Sequence, residues 1–269
     1  MTENPNQVRN RAIQAANNMR DEIGNKYQAA LRSVVFWVIL LMGASLIFAA
    51  LTSRPLMRFT GEYTTAYLIG VFLHAALGLS MHMWKLGLMR RERIYHIFGL
   101  FVLLLVAGIL VIAYFRAQLA IERGQPEIGA YLVSLFMAIL EIVVPTMFGA
   151  MLANAWRRYE TLKPDYEWAR ELAHRMLTEN DPMEAWIHEA FALQNKKRDL
   201  IGQIQQWETA LHEADAQRNW NEVKTLQERM ARAKEEIQVL GNRIEEVEKW
   251  YPGGPNELRR MVDGMLGQA

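Results

Sequence analysis

Residues 95–114 read YHIFGLFVLLLVAGILVIAY, with no Asp, Glu, Lys or Arg among them. A helix needs roughly 20 mostly apolar residues to cross the hydrocarbon core of a bilayer, and this stretch has that length and composition. Three more segments resemble it on either side: VVFWVILLMGASLIFAAL at 34–51, TAYLIGVFLHAALGLSMHMW at 65–84, and GAYLVSLFMAILEIVVPTMFGAMLA at 129–153. Trp37, Tyr67, Trp84, Tyr95, Tyr114, Tyr131 and Trp156 fall where membrane interfaces should lie, the usual station of amphipathic rings. The sequence therefore predicts an all-α fold with a four-helix transmembrane domain over 34–155.

The flanks of these spans give an orientation. Arg20, Lys26 and Arg32 precede the first; Lys85, Arg90, Arg91 and Arg93 separate the second from the third; Arg157, Arg158, Lys163, Arg170 and Arg175 follow the fourth. The other two loops hold only Arg54, Arg58, Arg116 and Arg123. Positively charged loops stay on the cytoplasmic side, so both termini are expected there, in a cell inner membrane. The first thirty residues carry acidic and amide side chains throughout and lack the pattern of a signal peptide. Neither outer loop is long enough for a folded domain, so the function is expected in the bilayer or on the cytoplasmic face.

Upstream, over 1–33, Val8, Ala12, Met19, Ile23, Tyr27 and Leu31 recur at helical spacing among charged residues. That pattern is an amphipathic helix, suited either to the inner leaflet or to docking on the rest of the chain.

Glu141 is the one carboxylate deep inside a span. Such a group is costly in hydrocarbon and should face protein or water. Ser134, Ala138, Glu141, Pro145, Gly149 and Ala153 share a stripe of span four, with Pro145 placed to kink the helix. Ala66, Gly70, His74, Gly78 and His82 form a matching stripe on span two. Small residues allow close helix approach, and Glu141 and His74 fall at similar depths. The sequence thus predicts that they are partners, serving as a proton relay, a gate or a cation site on a conduction path or pore, or as a polar clasp between helices. His82 and His96 lie at the cytoplasmic ends of spans two and three beside Met81 and Met83, but two histidines without cysteine make no recognisable metal spacing. No metal or cofactor is expected.

After span four, Pro164 is expected to break or re-aim the helix near Lys163, leaving 156–181 as a cytoplasmic linker helix with Tyr166, Ala169, Leu172 and Met176 on one face. Asp181, Pro182 and Glu184 carry the signature of a new helix start. Two heptad-like runs follow within 182–250. The first includes Trp186, Leu193, Lys197, Leu200, Ile204, Trp207 and Leu211; the second includes Val223, Leu226, Met230, Ile237, Leu240 and Ile244. Spacings of three and four at this length predict a coiled coil, folded back near 215–221 as an antiparallel hairpin. Residues 251–269 hold a Pro/Gly turn and a short amphipathic helix through Leu258, Met261, Val262 and Met265.

The absences narrow the classes. The chain has no cysteine, which excludes disulfides and thiolate chemistry, and its formal net charge of +1 gives no footprint for nucleic acid. No phosphate-binding loop, Rossmann fingerprint, GxSxG or HExxH occurs, so an enzyme is not expected. The expected function is that of a homo-oligomeric ion channel or ion/proton relay assembled through its coiled coil, in contact with membrane lipid. The alternative is a membrane anchor or scaffold whose tail recruits a cytoplasmic protein partner.

Overall fold

The computed structural model describes residues 5–90 and 92–267, so Arg91 of the basic flank and the extreme termini lie outside the described residues. Those described form seven α-helices and no strand: α1 (Pro5–Thr60), α2 (Tyr63–Arg90), α3 (His96–Glu122), α4 (Glu127–Thr178), α5 (Pro182–Ala216), α6 (Trp220–Trp250) and α7 (Pro255–Leu266). A single 3₁₀ turn, Arg93–Tyr95, leads into α3. The chain divides into two compact units, one formed by Lys26–Lys163 and the other by the segments on either side of it.

In the Lys26–Lys163 unit, each of the four helices contains a stretch long and apolar enough to cross a membrane. Large apolar side chains point outward on all of them, among them Ile47, Phe72, Leu103 and Phe136. In water such a surface would aggregate; in lipid it is the appropriate solvent-facing layer. The helices outrun the apolar segments read from sequence. The expected loop at 52–64 shrinks to a turn at Gly61, where φ is +73°, and the loop at 115–128 shrinks to a turn at Gly124, where φ is +84°. Both turns need a left-handed residue, which glycine supplies without a Cβ clash. Pro55 sits inside α1 rather than in a loop.

Glycines also set helix separations. A Cβ on Gly149 would come 2.0 Å from the carbonyl oxygen of Gly78, so α4 and α2 touch backbone to backbone. A Cβ on Gly70 would stand 2.6 Å from Thr52 Oγ1 and 3.0 Å from Ala49 Cα, so α2 also packs tightly against α1 there.

The other unit has its own core. Ala12, Ala16, Met19 and Ile23 of α1 pack with Trp168, Ala169, Leu172 and Met176 of α4, Trp186 and Leu193 of α5, Leu240, Ile244 and Val247 of α6, and Leu258 and Val262 of α7. The amphipathic N-terminal segment thus spends its apolar face on protein, the docking alternative of the two left open above. Trp186 is fully buried and donates its indole N–H to the Ala12 carbonyl at 3.3 Å. Glu189 is buried with both oxygens satisfied, by Trp168 Nε1 at 2.7 Å and Arg175 Nη2 at 2.6 Å. Lys249 donates to Glu22 across the sequence at 2.9 Å, which holds its ammonium above the ordinary lysine range.

The expected break at Pro164 does not occur: α4 continues through it. Proline removes one N–H and crowds one carbonyl, a local penalty, and the helix beyond it is held by the five buried residues Trp168, Ala169, Leu172, Ala173 and Met176. The true interruption comes at 179–181, where Asp181 Oδ1 accepts from the N–H of Met183 and Glu184 and Pro182 opens α5. A turn at 217–219, with Arg218 at φ +54° and Asn219 capping α6, separates α5 from α6. Ile204, Met230 and Ala233 are buried between these two helices, with Leu200, Trp207, Leu211 and Ile237 half-buried around them. Val223 is half-buried and Leu226 buried nearer the turn, and Lys196 pairs with Glu236 at 2.7 Å. Half-buried Lys197 extends its ammonium toward Gly241, where no side chain obstructs it.

Candidate functional site

Every member of the two polar and small-residue stripes is buried: Ala66, Gly70, His74, Gly78 and His82 on α2, and Ser134, Ala138, Glu141, Pro145, Gly149 and Ala153 on α4. They face the interior of this one chain's helices. The buried face of α1 adds the hydroxyls of Ser45, Thr52 and Ser53, each bonded to a carbonyl of its own helix. A polar seam therefore runs inside an apolar shell.

Glu141 has no exposed surface, and its partner is Arg116 of α3. Arg116 Nη2 donates to Glu141 Oε1 at 2.5 Å. The expected contact with His74 is not formed. His74 Nδ1 instead donates to the Gly70 carbonyl at 2.7 Å, and its ring stacks on Phe48 with centroids 5.6 Å apart. The reason is electrostatic: a permanent guanidinium is a better partner for a buried carboxylate than a neutral imidazole already committed to a carbonyl. The sequence does not mark Arg116 as this partner, because the apolar run ends at Tyr114 and predicts a loop, whereas α3 continues to Glu122. The available clue was general. A carboxylate in hydrocarbon requires a cation, and arginine can reach inward from beyond the apolar run.

The pair leaves several polar atoms unused. Glu141 Oε2, Arg116 Nε, Arg116 Nη1 and His74 Nε2 are buried and make no hydrogen bond within the chain. Arg116 lies close enough to His74 for its charge to act on the imidazole. With Nδ1 donating, a neutral His74 presents Nε2 as a bare acceptor. Three helices thus bring a carboxylate oxygen, two guanidinium donors and an imidazole acceptor into one buried region. Unsatisfied polar atoms each cost about 1–3 kcal/mol, so such a concentration is more than helix packing requires.

A second polar group sits at the other end of these helices. His82 is buried edge-on against Trp156, with centroids 6.3 Å apart. Glu160 accepts from Arg90 Nη2 at 2.6 and 2.5 Å. Burial works to raise the Glu160 carboxyl, but hydrogen bonds from Arg90 and Trp156 outweigh it and hold it below the usual range. His96 is exposed at the start of α3. Among the described residues no group of three or more His, Asp or Glu side chains is arranged to hold a metal ion.

No protein-family model matches this chain, and no curated protein or solved structure resembles it at a significant level.

Proposed function

We propose that the chain is a multipass membrane protein that relays protons or small ions through its helix bundle, with Glu141, Arg116 and His74 as the relay. The observation that carries this reading is the cluster of unpartnered buried atoms around the Glu141–Arg116 pair. A purely structural clasp would satisfy its members, whereas a relay needs one free acceptor beside each proton-carrying group. Because both stripes are buried within the chain, the path belongs to each protomer and not to a pore shared at a subunit interface. Ser134 lies on the same stripe two turns before Glu141, and Pro145, one turn after it, frees a backbone carbonyl in the same helix. In this reading α5 and α6 act as an antiparallel coiled-coil hairpin in the cytoplasm that sets a homo-oligomer, and both termini are cytoplasmic in a cell inner membrane.

A second reading, a scaffold whose tail recruits a cytoplasmic partner, is favoured by one observation. Trp220 at the α5–α6 turn is 65% exposed, unusual for an indole with no membrane-spanning role.

The purified protein reconstituted in liposomes separates the two. If the relay reading is right, a pH gradient drives proton flux that Glu141→Gln lowers at least tenfold while the subunit count in detergent stays that of the parent. A parent protein that passes neither protons nor ions removes the relay and leaves the scaffold.

A further inference from the structure

The single bond between Arg116 and Glu141 has a consequence for what the relay carries. Arg116 contacts the carboxylate through Nη2 alone, with Nε and Nη1 on either side of it as buried, unused donors. Guanidinium stays protonated under all ordinary conditions. A proton entering the site must therefore settle on Glu141, whose Oε2 is unpartnered, or on His74 Nε2. If it settles on Glu141 the carboxylate is neutralised and Arg116, whose side chain is 17% exposed, is left as a largely buried charge without a counter-ion. A lone buried cation is strongly disfavoured, whereas one matched by an anion is tolerated. Among the described residues no other carboxylate is placed to take over: the groups acting on this site are Arg116 from α3 and His74 from α2, and α1 supplies hydroxyls to its buried face. The nearest acidic side chains along α3 and α4, Glu122 and Glu127, are exposed, and Glu122 is paired with Arg58.

We propose that Arg116 is a binding site for a small monovalent anion, occupied when Glu141 is protonated, so that one proton and one anion enter the site together. In the resting state the Glu141 carboxylate is the internal counter-ion. On loading, the proton forms the O–H bond at Glu141, the Arg116–Glu141 ion pair opens, and the anion accepts hydrogen bonds from the guanidinium. The net charge of the buried site is zero before and after. This inference rests on the relay reading and extends it by naming the co-substrate. By linkage, the anion must tighten proton binding by the same factor as the proton tightens anion binding.

Chloride is the probe. Detergent-purified full-length protein in weakly buffered solution should take up about one proton per bound chloride, and impermeant gluconate should produce no uptake. Glu141→Gln, which mimics the protonated carboxyl, should bind chloride without proton uptake and without dependence on pH. Arg116→Gln should lose chloride binding at least tenfold, with circular dichroism and gel filtration confirming the fold; if it fails to assemble, Arg116→Met combined with Glu141→Leu, which removes both charges, should lose chloride binding to the same extent. Proton uptake unchanged between chloride and gluconate would overturn the proposal, as would chloride binding retained in either folded variant. The relay reading is judged separately in liposomes. Proton flux in gluconate that Glu141→Gln abolishes would keep the relay and discard the anion, whereas no flux in either medium would discard both.

Discussion

A carboxylate and a guanidinium buried together can be examined without reference to transport. Removing one partner leaves the other charged and alone, which costs about 3–5 kcal/mol, while replacing both with apolar side chains of similar size is often neutral. Arg116→Met and Glu141→Leu should therefore each lower the stability of the helix bundle markedly, and the double variant should recover most of the loss. Equilibrium unfolding in mixed detergent micelles provides the double-mutant cycle. Additive losses would mean that the two side chains do not depend on each other and that Glu141 has another partner. The same cycle with His74→Phe and Glu141→Leu should be close to additive, since His74 bonds to its own helix. Glu141 itself was conspicuous in the sequence because a charge in an apolar run has few explanations. Its partner was not, because side-chain reach across helices is a tertiary property that no spacing in the chain encodes.

At the level of the helices, periodicity was the readable signal and helix ends were not. The stripes on α2 and α4 follow the 3.6-residue repeat of a buried helix face, and each predicted member lies inside. Termini are set by where backbone hydrogen bonding stops, and polar flanks rich in Ala, Arg, Glu and Gln continue a helix as readily as apolar residues do. Hence α1 runs unbroken from Pro5 to Thr60 although its character changes from amphipathic to apolar near Val34. Pro164 tests this directly. In a helix interior proline is about 3 kcal/mol less favourable than alanine, and here it leaves the Glu160 carbonyl without its usual donor. Since α4 continues through the position, Pro164→Ala should keep the helix and stabilise it, raising the thermal midpoint and slowing amide exchange around 160–168. A variant less stable than the parent, or with less helix by circular dichroism, would mean that the proline itself is needed there.

For the molecule as a whole, orientation rests on charge: basic residues crowd three of the flanks, while Arg54, Arg58, Arg116 and Arg123 are the basic residues around the turns at Gly61 and Gly124. The sequence makes the test unusually clean, since the chain contains no cysteine and any introduced thiol is the only one present. Glu62 and Gln125 are exposed at the two turns expected outside, and Glu92 and Gln217 are exposed at the loop before α3 and the α5–α6 turn, both expected inside. Single cysteines at Glu62 and Gln125 should react with a membrane-impermeant maleimide added to intact cells, while those at Glu92 and Gln217 should react only after permeabilisation. Labelling of the opposite pair would invert the topology and place the Arg90–Glu160 group on the outer face. Labelling of Glu62 and Glu92 from the same side would remove α2 as a span, and with it the buried location of His74 between lipid-facing helices. The relay depends on this result more than on any other, because a proton path needs Glu141 reachable from two compartments, and only four complete crossings give the Glu141–Arg116 pair a side on each.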